Sequence, residues 1–168
     1  MNEADARAAA EGTLDGADAV FGDAYELASG WFFPCVRKSA DIYHGVIVNK
    51  STGRSLPVLR QSPMANDLDL YDRGYQFEAF DLVVLEVDNM EAAVQILHAL
   101  HEVTVDTYYK NDRVYRVGRN LTEMEVRERL SNLPCVFSGH FAFGLAGLER
   151  ARVDGVFAFK VFEYRGKP

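Results

Sequence analysis

Residues 44–59, HGVIVNKSTGRSLPVL, constrain this chain more tightly than any other stretch. Gly45-Val46-Ile47-Val48 is an apolar β run. Asn49-Lys50-Ser51-Thr52-Gly53 supplies turn chemistry with a glycine free to take positive φ, and Ser55-Leu56-Pro57-Val58-Leu59 returns as a second strand. An antiparallel hairpin follows. Pro57 cannot donate to a ladder, so its strand belongs at a sheet edge or is bulged there. Ahead of the hairpin, residues 3–15 are Ala-rich and predict a helix with a small apolar face, closed by Gly12 or Gly16. Residues 25–38, YELASGWFFPCVRK, read as one aromatic strand. Residues 61–69 read as a loop leading into LYDRGYQFEAF.

From Leu82 a second pattern begins. Leu82–Val87 is a buried strand. Asp88 as N-cap with Glu91 three residues on opens a helix through His101, with Ala93, Ile96, Leu97 and Leu100 on one face. VTVDTYY, a turn at Lys110-Asn111-Asp112 and RVYRVG form a hairpin. Thr122 and Glu125 make a capping box for the helix EMEVRERL. A mixed apolar segment runs to Leu148, and Gly155–Phe162 is a terminal strand. The class is α+β: a helix plus antiparallel strands, followed by a ferredoxin-like βαββαβ-type half. The expected division is 1–81 and 82–168. No Pro/Gly-rich linker separates the two, so one fused domain satisfies the pattern equally.

The 168 residues are 48% apolar and 26% charged, a composition that folds. A net charge of -7 and a pI near 5.1 argue against a general nucleic-acid binder, which needs a basic face to release phosphate counterions. The first twelve residues are not of secretory type, and the uncharged run Val136–Leu148 is too short to span a bilayer. The expectation is a cytoplasmic protein with no membrane association and with Cys35 and Cys135 reduced.

Charge is unevenly laid out. Residues 1–30 hold seven carboxylates against Arg7, and residues 67–106 hold ten against Arg73. Such runs usually mean a solvated surface. They also suit a basic partner, which an acidic face attracts and orients. Aromatics interleave the second run, so the candidate partner-binding set is Asp67, Asp69, Tyr71, Asp72, Tyr75 and Glu78, with the tyrosines as anchors.

Residues that could carry chemistry do not complete a motif. His98 and His101, three apart beside Glu102, could share a metal, but HxxH alone equally describes a helix end with a favourable charge. Cys135, Ser138 and His140 lie close in CVFSGH, yet residues five apart on a strand point to opposite faces, and the run lacks Gly-x-Ser-x-Gly. Asp67 and Asp69 have no Gly-rich phosphate cradle nearby. No catalytic residue, cofactor or metal is assigned.

Gly30-Trp31-Phe32-Phe33 followed by Gly45-Val46-Ile47-Val48-Asn49-Lys50-Ser51-Thr52-Gly53 resembles the YrhB-like domain found among bacterial polymorphic-toxin immunity proteins. In that family the hairpin carries Asp where Asn49 stands, and its usual lead-in is replaced by Tyr43-His44-Gly45-Val46. The likeness covers the first half of the chain. It implies an immunity-type inhibitor, not an enzyme, that binds and blocks a cognate toxin. The acidic runs suit a basic toxin. The alternative is a small enzyme or ligand-binding domain in the second half, using His98, His101 or His140 beside Phe137, Phe141, Phe143, Phe157 and Phe159. The oligomeric state is open.

Overall fold

The computed structural model describes residues 1–14, 19–36, 42–141, 144–164 and 166, with the side chain of Phe141 outside the description. Gly16 and Phe143 also lie outside the described residues. The chain is α+β and divides into two compact units, Met1–Glu78 and Ala79–Pro168. The division falls inside the second acidic run, just ahead of a strand.

The first unit is a four-stranded antiparallel meander, β1 (Tyr25–Glu26), β2 (Gly30–Pro34), β3 (Tyr43–Asn49) and β4 (Ser55–Leu59), in spatial order β1-β2-β3-β4. Helix α1 (Glu3–Thr13) is capped by Asn2, whose Oδ1 accepts the Asp5 amide at 2.9 Å. Its small face suffices: Ala6, Ala10 and Leu14 pack on Phe33, Val46 and Val48. Pro57 sits in the edge strand β4, opposite Val46. Gly45 passes over the Phe32 ring and the Phe33 carbonyl, where a Cβ would collide with both.

Residues 25–38 do not form one strand. The chain reverses between β1 and β2, with Leu27 N–H donating to the Gly30 carbonyl at 2.9 Å. The Ala28 and Ser29 amides go instead to the Asp72 carboxylate, at 2.9 and 2.8 Å. Residues 61–69 are also more ordered than a plain loop. Ser62 caps a 3-10 turn over Pro63–Ala65, and a single helical turn, α2 (Asp69–Asp72), follows.

The second unit has a three-stranded antiparallel sheet, order β8-β5-β9, from β5 (Ala79–Val87), β8 (Cys135–Phe141) and β9 (Phe157–Glu163). Phe80, Leu82, Val84, Phe137 and Phe157 are buried. So are Ala93, Val94 and Leu97 of α3 (Met90–His98), Val126 and Leu130 of α4 (Glu123–Leu130), and Leu145, Leu148 and Ala151 of α5 (Leu145–Val153). Helix α3 packs against α4 and α5, and α5 against β9. Asn89 rather than Asp88 caps α3, its Oδ1 accepting the Ala92 amide at 3.1 Å. The capping box at Thr122 and Glu125 is formed.

The second unit runs strand, helix, strand, strand, helix, strand as expected and then adds a helix and a strand, but these strands do not join in a ferredoxin-like sheet. Strands β6 (Val103–Lys110) and β7 (Arg113–Asn120) make a separate two-stranded sheet, and α5 inserts an additional helix between β8 and β9. The physical reason lies in the hairpin's own pattern. Opposed residues share a face, and both faces carry polar pairs, Thr107 with Arg116 on one and Thr104 with Arg119 on the other. Neither is apolar enough to be buried throughout. Asn111 and Asp112 turn the hairpin with φ of 49° and 56°.

Candidate functional site

Segment 67–78, the predicted contact region, is built from the inside outward. Tyr71 and Tyr75 are each 1% exposed. They are core residues of the first unit, not anchors for a partner. Tyr71 lies against Gly30 on the sheet face opposite α1, where Asn49 Nδ2 donates to its hydroxyl at 3.1 Å and to Gln76 Oε1 at 3.0 Å. Asn49 Oδ1 accepts the Ser51 and Thr52 amides, both at 2.9 Å, so one buried side chain ties the β3–β4 turn to this segment.

The carboxylates divide by task. Burial alone would raise the Asp72 carboxyl, but the Ser29 and Ala28 amides outweigh it and hold the group below the usual range. Asp72 is therefore a clamp on the β1–β2 turn. Asp67 accepts the Asp69 amide at 3.2 Å and pairs with Arg73 at 3.3 Å. Asp69 and Glu78 are exposed. Glu3, Asp5 and Glu11 are exposed too, on α1, across the sheet from Asp69. The described acidic groups of this unit thus occupy both of its outer layers.

In the second unit the acidic run is largely spent internally. Glu91 pairs with Arg127 at 2.6 Å, and Asp81 Oδ1 accepts the Gly139 amide at 3.1 Å. Arg119 bridges Asp106 at 2.7 Å and Glu125 at 2.6 Å, fixing the base of the β6–β7 hairpin. Arg119 and the Thr122 cap together hold the Glu125 carboxyl far below its ordinary value.

The histidines do not converge. Helix α3 ends at His98, and His101 lies beyond it with φ 54°, so the two do not share a helix face. Their rings are 6.5 Å apart, and His101 Nδ1 lies 3.4 Å from Asn120 Nδ2. No group of three metal-ligating side chains gathers among the described residues.

His140 is 5% exposed and faces inward, like Cys135 and Phe137. Simple alternation would put residues 135 and 140 on opposite faces. A bulge restores the phase: Phe80 pairs with His140 and Leu82 with Phe137, so Ser138 and Gly139 together oppose Asp81, with Gly139 at φ 73°. His140 Nε2 then faces Glu102 Oε2 at 3.6 Å, too long for a hydrogen bond, and neither atom has another partner among the described residues. Arg129 Nη1 takes the other carboxylate oxygen at 2.7 Å. Burial pushes the Glu102 carboxyl up, and His140 with Arg129 pull it back below its ordinary range. Arg129 and Glu102 form an ion pair largely withdrawn from solvent at the carboxylate, which His140 faces from the sheet. A groove of about 350 Å³ lies elsewhere, lined by Gln95, Ile96, Ala99, Leu100, Gly144 and Gly147, none of which titrates. At Gly144 a Cβ would run into the Leu100 side chain, and the sequence offers no signal for the groove.

Both thiols are free, and burial raises each above its ordinary pKa. No helix among the described residues is long and apolar enough to cross a membrane. No protein-family model, curated protein or solved structure matches this chain.

Proposed function

We propose that this chain is a binding protein of the immunity type, which attaches to a basic protein toxin and blocks it. One observation carries the reading. Segment 67–78 is held from beneath by Tyr71 and Tyr75 in the core and sideways by the Asp72 clamp, so Asp69 and Glu78 stand exposed on a fixed backbone. A backbone already ordered spares a cationic partner that part of the ordering cost, and the carboxylates on it act mainly on encounter rate and specificity. The aromatic anchors are no part of this contact.

The test is co-expression with the protein encoded immediately upstream, tagged for capture. Growth protection and co-elution are expected. The double substitution Asp69→Lys with Glu78→Lys should slow association by roughly tenfold and flatten its salt dependence. An upstream product that is neither toxic nor retained removes the reading. Retention at an unaltered rate in the double variant moves the contact away from this segment.

A further inference from the structure

Among the described residues of the second unit, no element packs broadly over the β6–β7 hairpin. Only Thr104 and Arg119 are partly buried, and every other residue from 103 to 120 is exposed. On one face Val103, Val105, Tyr109 and Val114 are 64, 58, 68 and 62% exposed. The other face carries Tyr108 stacked on Tyr115, with ring centroids 5.4 Å apart, alongside Asp106, Lys110 and Arg113. Two strands alone are marginally stable in water, and a further strand is the usual remedy.

The two free edges are not equivalent. Strand β7 carries Arg113, Arg116 and Arg119, so a second β7 laid beside it would oppose like charges. Strand β6 runs eight residues with no proline and no register shift, and its charges are Asp106 and Lys110. It has no proline or bulge to blunt the edge, and its two charges are of opposite sign. The two-residue turn sets which backbone groups are free. Its closing bond runs from the Arg113 N–H to the Lys110 carbonyl, so the backbone groups of Asp106, Tyr108 and Lys110 point toward β7. Those of Val105, Thr107 and Tyr109 point outward.

We propose that two copies of this chain join along their β6 edges, antiparallel about a two-fold axis at Tyr108, into one four-stranded sheet of order β7-β6-β6-β7. In this register Thr107 of each copy faces Tyr109 of the other, and both present outward N–H and C=O groups. Asp106 of each copy faces Lys110 of the other, so opposite charges meet twice. Tyr108 faces its own counterpart at a non-hydrogen-bonded position, where side chains approach most closely. The Tyr108–Tyr115 stack becomes a row of four tyrosines. An axis at Asp106 would instead oppose two carboxylates, and one at Thr107 would forfeit both charge pairs. This contact is independent of the basic partner.

Sedimentation equilibrium of the full chain tests it. A dimer is expected. Lys110→Glu and Asp106→Lys should each weaken self-association roughly 30-fold, since two attractive cross-strand pairs become repulsive. An equimolar mixture of the two variants should recover the dimer, because every facing pair is then opposite in sign. Far-UV circular dichroism checks that both variants fold. A chain that stays monomeric to about 0.1 mM overturns the proposal, since weaker association would need another cause. So does a dimer that both substitutions leave unchanged, or variants that weaken it without recovery on mixing.

Discussion

Asn49→Ala isolates the side chain on which the first unit turns. The amide makes four hydrogen bonds: to the Ser51 and Thr52 amides in the turn, and to Tyr71 and Gln76 across the sheet. In the alanine variant the two turn amides reach water at little cost, about 0.5 kcal/mol each. The inner two are worth about 1 kcal/mol each, and the Tyr71 hydroxyl, on a residue 1% exposed, is left without its donor for about 1 more. The expected loss is about 3 to 4 kcal/mol. Trp31 is the sole tryptophan and lies in β2, so its fluorescence follows this unit within the intact chain. With a urea slope of about 1 kcal/mol/M, the midpoint falls by roughly 3 M. Asn49→Asp keeps the acceptor for the turn but loses the donor to Tyr71 and Gln76, so it should recover only the turn's share, about 1 kcal/mol. Tyr71→Phe should cost about 1 kcal/mol, and the double variant should show a coupling of similar size. A loss under about 1 kcal/mol for Asn49→Ala would refute the reasoning, because the four bonds would then be replaceable by water.

What the sequence disclosed depends on how far apart the interacting residues lie. The β3–β4 hairpin, the Asn111–Asp112 turn and the Thr122–Glu125 capping box are legible because each is closed by residues within a few positions of one another. Pro57 announced an edge strand because its missing N–H is a property of one residue. The break between β1 and β2 was not legible: the carboxylate that takes the Ala28 and Ser29 amides is 44 and 43 positions away. Tyr71 and Tyr75 misled for a related reason. An aromatic between acids reads as an exposed anchor until the opposite sheet face is known to need covering. The inward turn of His140 hung on a single glycine at positive φ. Gly139 was visible in the sequence, but a lone glycine in a strand pattern does not say which partner residue it will bulge against. The ferredoxin-like reading failed at the sheet, since hairpin order says nothing about whether the hairpin joins its neighbours.

Two consequences of the charge network are separable by pH. Asp72→Asn should remove part of the acid sensitivity of the first unit. The folded carboxyl titrates below its unfolded counterpart, near 3.9, so its contribution is fully present above that value and disappears as pH falls through the lower folded one. Between about pH 5 and 2 the Trp31 unfolding midpoint should therefore decline less in the variant than in the parent, and parallel declines would refute the clamp. Arg129→Met tests the second unit. Glu102 loses the guanidinium that bonds it at 2.7 Å while its side chain stays 12% exposed, which leaves a nearly buried carboxylate with His140 at 3.6 Å. At pH 7 the loss should be about 2 to 4 kcal/mol by circular dichroism in urea. Without Arg129 the Glu102 carboxyl rises, so the variant binds this proton more readily than the parent. The deficit should then shrink as pH drops toward 5, provided the cost is an unpaired charge. A deficit that stays constant with pH would assign the role of Arg129 to packing over the Phe137 ring, 5.0 Å from its guanidinium, rather than to the ion pair.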